Sequence, residues 1–277
     1  KDVAPKVLQE GALDPLVRLL GSDDPEICFE AAGALNNLAA TGAQTKYEIA
    51  MAGAIAPLIR MMASSDVKLA AQAAGTLASL CEIGEAQAQV VLEGGLRPAV
   101  SAVRSDSVEV QREAGRLLAN LCAAEGDTSD AIIEAGGHTL LLSFLQSSDL
   151  NMQRVGSYGV GNLAAQERHR MPLVEAAALE PLMTVAMREG VELEIQRYAV
   201  LALTNLATEA GTHRHFIEQG MLPKLVSLAN ADNDEVRQFS AFSLVKMSQN
   251  ADVRAIVARA GGLEPVLYLA RTDAPEI

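Results

Sequence analysis

From Gln196 to Thr208 the chain alternates polar and apolar positions with the period of an α-helix. Ile195, Ala199, Ala202, Leu203 and Leu206 fall on one face, and Arg197, Tyr198, Leu201 and Asn205 on the other. Asn205 directly precedes Leu206, so its side chain is expected off the core face. The same Asn–Leu step recurs at Asn37–Leu38, Asn120–Leu121 and Asn162–Leu163, and two further copies hold Ser79–Leu80 and Lys246–Met247. Successive copies lie about 41 to 43 residues apart. A fixed period of that length marks a stack of helical units, each burying its apolar face against its neighbours.

The segments between these copies repeat as well. ALDPLVRLLG runs from Ala12, GAIAPLIRMM from Gly53, GGLRPAVSAV from Gly94 and GGHTLLLSFL from Gly136. AALEPLMTVA follows from Ala177, GMLPKLVSLA from Gly220 and GGLEPVLYLA from Gly261. Gly suits a helix end that turns through a left-handed residue, and Pro suits the first turn of the next helix. SDDPEI, from Ser22, supplies Asp caps and Pro25 for the start of a longer helix. Each unit thus reads as short helix, Gly turn, second helix, capped loop and longer third helix. The units span about 1–40, 41–82, 83–124, 125–165, 166–208 and 209–249, with a partial unit 250–277, in one continuous solenoid of about 20 helices without strands. Six residues before the Asn position stand Ala31, Ala73, Ala114, Gly156, Ala199 and Ser240, small enough for a neighbouring helix to approach. Gly156-Ser-Tyr-Gly-Val-Gly161 puts three glycines inside one third helix; close approach of a partner or of a neighbouring helix would each explain them. Residues 273–277 repeat the opening of a third helix, and the chain starts inside a first helix. That reads as part of a longer chain or one trimmed to its ordered core.

The G-[AGM]-L-x-P starts of the second helices and the [ALTG]-x-[NS]-L motif of the third helices recur in register. Together they resemble the armadillo-repeat family along the whole chain; two-helix HEAT units place Pro differently. The resemblance implies an all-α, right-handed superhelical solenoid whose third helices line a concave groove for an extended peptide. The family's peptide-binding Asn ladder maps to Asn37, Asn120, Asn162 and Asn205 and is broken at Ser79 and Lys246. An Asn amide both donates and accepts, so it can pair with a peptide backbone whatever its side chains; the alternative is that these residues stabilise their own helices or loops. Four residues earlier, nuclear-import adaptors of the family usually carry Trp. Here stand Gly33, Gly75, Arg116, Tyr158, Leu201 and Phe242, and the chain has no Trp. That argues against classical nuclear-signal binding. The Trp-free, lipid-anchored adaptors of the armadillo-repeats-only and vacuolar types look most similar. The other class is the substrate-binding region of a larger enzyme such as a U-box ubiquitin ligase. A Met-Gly-x-x-x-Ser/Thr start on the full-length chain would favour the anchor, and an upstream catalytic domain the ligase.

Composition narrows the picture. Aromatics are only 3% of residues, which suits closely packed Ala/Leu helices. The net charge of −13 repels phosphate backbones and argues against nucleic acid. Cys28, Cys81 and Cys122 make an odd set without paired spacing, and a reducing compartment fits. Cys81 and Cys122 stand where other units have Ala39, Ala164 and Ala207, as small buried hydrophobes. The apolar runs fall short of the roughly 18 to 20 residues of a membrane span. KDVAPKV is no signal peptide. Membrane contact would therefore come through a partner or segments outside this chain, and the expected location is the cytoplasm, or the cytosolic face of an organelle membrane. No catalytic constellation, cofactor loop or metal site is found. Of His138, His169, His213 and His215, three are expected to be solvated and His138 partly buried. The chain is expected not to be an enzyme.

The candidate binding residues come from the third helices. Eight residues before the Asn position, Arg112, Arg154 and Arg197 form a row that Arg116 joins. Tyr198 and Phe239 lie one position on. Tyr158, Tyr198, Leu201, Phe239 and Phe242 give the later units large side chains, whereas Gly33, Ala71 and Gly75 leave the first two shallow. The expected surface is therefore the third to sixth units, including Asn120, Asn162 and Asn205. Its expected partner is an extended acidic or phosphorylated segment with apolar anchors, because Arg forks pair bidentately with carboxylate and phosphate. The β-catenin-like adaptors use a comparable basic groove, by family analogy only.

Overall fold

A computed structural model describes residues 10–124 and 126–271. The expectations for a first helix in residues 1–10 and for a third-helix start at 273–277 fall largely or wholly outside them. Every α-helical or 3-10 element among the described residues is accounted for by nineteen α-helices and one 3-10 turn, and no strand occurs. The chain divides into two compact units, one ending at Gly137 and the other beginning at His138.

The first unit contains α1 (Leu13–Leu19), α2 (Pro25–Ala39), α3 (Ala43–Met51), α4 (Ile55–Met62) and α5 (Val67–Leu80). It continues with α6 (Gly84–Leu92), α7 (Leu96–Ala102), α8 (Val108–Leu121) and α9 (Asp127–Glu134). Its third helices pack in order, α2 on α5 and α5 on α8. Helix α10 (Gly137–Phe144) starts at the division. The second unit then holds α11 (Leu150–Ala165), α12 (Glu167–Glu175), α13 (Leu179–Met187) and α14 (Leu193–Ala207). A 3-10 turn (Ala210–Thr212) leads to α15 (His213–Glu218), α16 (Met221–Leu228), α17 (Asp234–Gln249), α18 (Ala251–Arg259) and α19 (Leu263–Arg271). Here α11 packs on α14 and α14 on α17.

Local chemistry starts each third helix. Asp24, Asp66, Ser107, Asp149 and Asn233 accept backbone N–H bonds from the first turns of α2, α5, α8, α11 and α17. These bonds satisfy donors that a helix N-terminus leaves open. Nine residues before the Asn position, Gln111 and Gln153 donate back to the carbonyls of Ser105 and Ser147, each at 2.6 Å. Arg237 closes the matching loop on Ala231 O at 2.8 Å. Helix α14 is the exception, because its N-cap, Glu192, makes no side-chain cap bond.

The core follows the periodic face. Ile195, Ala199, Ala202, Leu203 and Leu206 are fully buried, as are Leu80, Leu121, Leu163 and Met247. At six second-helix entries glycine takes a positive φ, from 67° at Gly220 to 93° at Gly261, while the equivalent Ala177 takes φ 63°. Gly156 answers to a neighbouring helix. A Cβ there would lie 2.7 Å from Leu141 O and 3.0 Å from Phe144 Cβ on α10.

Two histidines correct the expectation of a solvated surface: His169 and His213 are each only 3% exposed. His213 sits where a side chain from the next unit braces the end of a third helix, with Nε2 2.8 Å from Ala207 O. Gln87, Arg170 and Arg254 do the same, donating to Cys81 O, Ala164 O and Ser248 O. Among the described residues no helix is long and apolar enough to cross a membrane.

Candidate partner-binding surface

In the second unit, α11 carries Arg154, Tyr158 and Asn162, α14 carries Arg197, Tyr198, Leu201 and Asn205, and α17 carries Phe239 and Phe242. Arg197 is exposed and the others are half-buried. Small residues on the opposite faces let these helices lie side by side. The rings of Tyr158 and Tyr198 consequently meet, with centroids 5.2 Å apart and planes tilted by 58°. That separation lies within the usual range for paired aromatic rings. The Tyr198 hydroxyl donates to Glu194 Oε1 at 3.1 Å. Burial first, and then the bond to Glu194, hold the Tyr198 phenol above the usual tyrosine range. On α17, Lys246 Nζ stands 4.9 Å from the centre of the Phe242 ring, a cation–π contact.

The arginines do not form a bare basic strip, which corrects the electrostatic picture drawn from the sequence. Arg154 pairs with Glu192 and with Glu194, the latter at 3.0 Å, and donates to Asn151 Oδ1 at 2.9 Å. Arg197 pairs with Glu235. In each rung the arginine belongs to one third helix and the carboxylate to the start of the next. Because Glu192 caps nothing in α14, its carboxylate is available to Arg154. The sequence shows the arginine row directly. The pairing emerges only when positions eight and eleven before successive Asn residues are compared.

The Asn ladder is divided in its roles. Asn205 Nδ2 lies 3.5 Å from Gly161 O, a weak bond at the edge of the normal range, and Asn162 is engaged within the protein. In the first unit Asn120 is only 8% exposed, donates to Ala78 O at 2.8 Å and accepts Gln87 on its main-chain carbonyl. The expectation that the Asn position lies off the buried side fails there, because the amide braces α8 against α5. Asn37 is exposed.

Arg112 is half-buried and engaged within the protein. Arg116 donates to Gly75 O at 2.8 Å and Ser79 Oγ at 3.3 Å and pairs with Glu113 at 3.1 Å. The first units are also not featureless. An open hollow of about 410 Å³ lies over α2, α5 and α8, between Phe29, Gln72 and Glu113, with Gly75 among its lining residues. Sequence reasoning passed over Phe29, although it stands in the register of Arg112, Arg154 and Arg197.

No group of three or more His, Cys, Asp or Glu among the described residues is arranged to hold a metal ion. All three cysteines are buried and form no disulfide, and burial pushes the thiols of Cys81 and Cys122 far above their usual value.

The armadillo/beta-catenin-like repeat model matches residues 2–40 and 43–82. Armadillo repeat-containing protein 3 of Homo sapiens is 27% identical over 145 residues, 52% of this chain and 16% of that protein. Armadillo repeat-containing protein gudu of Drosophila melanogaster is 24% identical over 120 residues, 43% of this chain and 18% of that protein. The matches thus cover less than a fifth of either relative. Among solved structures, an engineered protein superposes with a TM-score of 0.91 at 28% identity, covering 99% of this chain and 67% of its own. A designed armadillo repeat protein in complex with peptide (KR)4 gives a TM-score of 0.78 at 25% identity, covering 84% of this chain and 98% of its own. The fold is that of armadillo-repeat solenoids, and these matches support the armadillo-repeat family.

Proposed function

We propose that this armadillo-repeat chain is a non-enzymatic scaffold that binds an extended segment of a protein partner across α11, α14 and α17. Armadillo-repeat proteins are in general binding scaffolds, and a designed relative in fold holds a peptide. The observation that carries the reading is the half-buried Tyr158–Tyr198 pair, flanked by Arg154 and Arg197. Tyr and Arg anchors dominate many protein interfaces, because each combines apolar area with a polar end. Leu201 and Phe242 extend the apolar footing, and Asn205 keeps most of its amide for a peptide backbone. The designed protein's peptide is basic, whereas this chain carries Arg154 on α11 and Arg197 on α14. The partner segment is therefore acidic or phosphorylated, with apolar anchors. The scaffold works in the cytoplasm or on the cytosolic face of an organelle membrane, reached through a partner or through segments outside this chain. Its strong negative charge disfavours nucleic acid.

The test is selection of peptides from a displayed random library on the purified chain. Selected peptides should lose binding to Tyr198→Ala and keep it with Met51→Ser, a change at an exposed site of the first unit. Equal binding to parent and Tyr198→Ala overturns the reading.

A further inference from the structure

We infer that Glu192, Glu194 and Glu235 are built-in competitors that reserve Arg154 and Arg197 for doubly charged phosphoryl groups. The inference rests on the proposed binding of a partner segment at this surface and adds the rule by which that surface selects.

Before any partner arrives, three carboxylates face two guanidiniums. A partner carboxylate that displaced one of them would exchange like for like. It would also lose translational and side-chain freedom that the chain's own carboxylate has already given up. A phosphoryl group brings up to two charges and three acceptor oxygens, so it gains more than it displaces. The displaced groups are not stranded. Glu194 and Glu235 lie in the first turns of α14 and α17, where the helix N-terminus favours negative charge. The pairs are partly exposed, with side-chain exposures between 33% and 51%, so they can open. Withdrawal of Glu194 also releases the Tyr198 hydroxyl, which then has a hydrogen to donate to a phosphoryl oxygen. The missing cap at Glu192 fits the same design: other third helices spend an Asp, Ser or Asn on the cap, whereas this carboxylate goes to Arg154.

The experiment uses the whole chain and three fluorescein-labelled twelve-residue peptides. They share a leucine- and glycine-containing sequence and differ at two positions, two residues apart, which hold Ser, Glu or phosphoserine. Binding is read by anisotropy at low salt. The parent should bind the phosphoserine peptide about tenfold more tightly than the Glu peptide, as expected of stronger charge-assisted bonds. Glu192→Gln/Glu194→Gln/Glu235→Gln should gain affinity for the Glu peptide by roughly fivefold or more, given the modest worth of exposed ion pairs. Glu235→Gln alone, a milder change that frees only Arg197, should gain roughly twofold. Circular dichroism melts confirm folding of both variants.

Equal affinity of the parent for Glu and phosphoserine peptides overturns the inference, as does unchanged affinity for the Glu peptide in both variants. If the Ser peptide still binds and Tyr198→Ala weakens it, the scaffold reading survives that failure. If no peptide binds parent or variants, both fall.

Discussion

Ala177 occupies a backbone conformation that six equivalent turns give to glycine, with φ 63°. A Cβ crowds the backbone in that left-handed region. Ala177→Gly should therefore raise stability by about 0.5 to 1 kcal/mol, the relief of strain exceeding the entropy added to the unfolded chain. A shift of the denaturant midpoint to higher concentration checks it. Tyr198 gives a second test. Burial and the Glu194 bond favour its neutral form, so their stabilisation is complete below the ordinary tyrosine pKa of about 10 and is lost as pH rises through the raised folded value. An ultraviolet difference titration of parent against Tyr198→Phe should place this ionisation above the ordinary value, and Glu194→Gln should bring it down. At this scale the sequence exposes residue types and leaves partners hidden. Tyr198 and Arg154 are visible as candidates. Glu192 reaches Arg154 only because two third helices stack in a register that no single helix reveals.

Helices are where the sequence speaks most clearly. The Asp cap and Pro25 place the start of the first of the third helices where it is observed, and the 3.6-residue period recurs on each later one. The buried His213 was missed for a physical reason. Bracing a helix end requires only a donor six residues beyond the carbonyl, and Gln87, Arg170, His213 and Arg254 all serve, so residue type carries no signal. The glycines of α11 now separate by cause. Gly156→Ala should destabilise by about 1 to 3 kcal/mol, because its Cβ would drive into the α10 backbone. Gly161→Ala should be neutral or stabilise by up to about 1 kcal/mol, since its Cβ would meet Tyr198 O at an ordinary 3.8 Å. Thermal melts of the two variants should move in opposite directions, or only the first should move.

For the whole molecule, the repeat period made the fold legible, and the likeness to designed armadillo proteins agrees with it. The binding surface was legible only in part. The sequence located the large side chains of the later repeats, but it overlooked the hollow beside Phe29 and the carboxylates that neutralise the arginine row. The decisive measurement is the affinity of a library-selected peptide for the parent, Tyr198→Ala, Arg154→Gln/Arg197→Gln and Phe29→Ala, at low and high salt. Tyr198→Ala should lose about 1 to 2 kcal/mol at both salts, as a buried aromatic anchor does. For the phosphoserine peptide, the double arginine variant should lose about 2 kcal/mol at low salt and clearly less at high salt, where screening has already weakened its charges. Phe29→Ala should bind like the parent. If Phe29→Ala instead abolishes binding while the other two variants match the parent, the partner sits on the first unit and the assignment to α11, α14 and α17 is wrong.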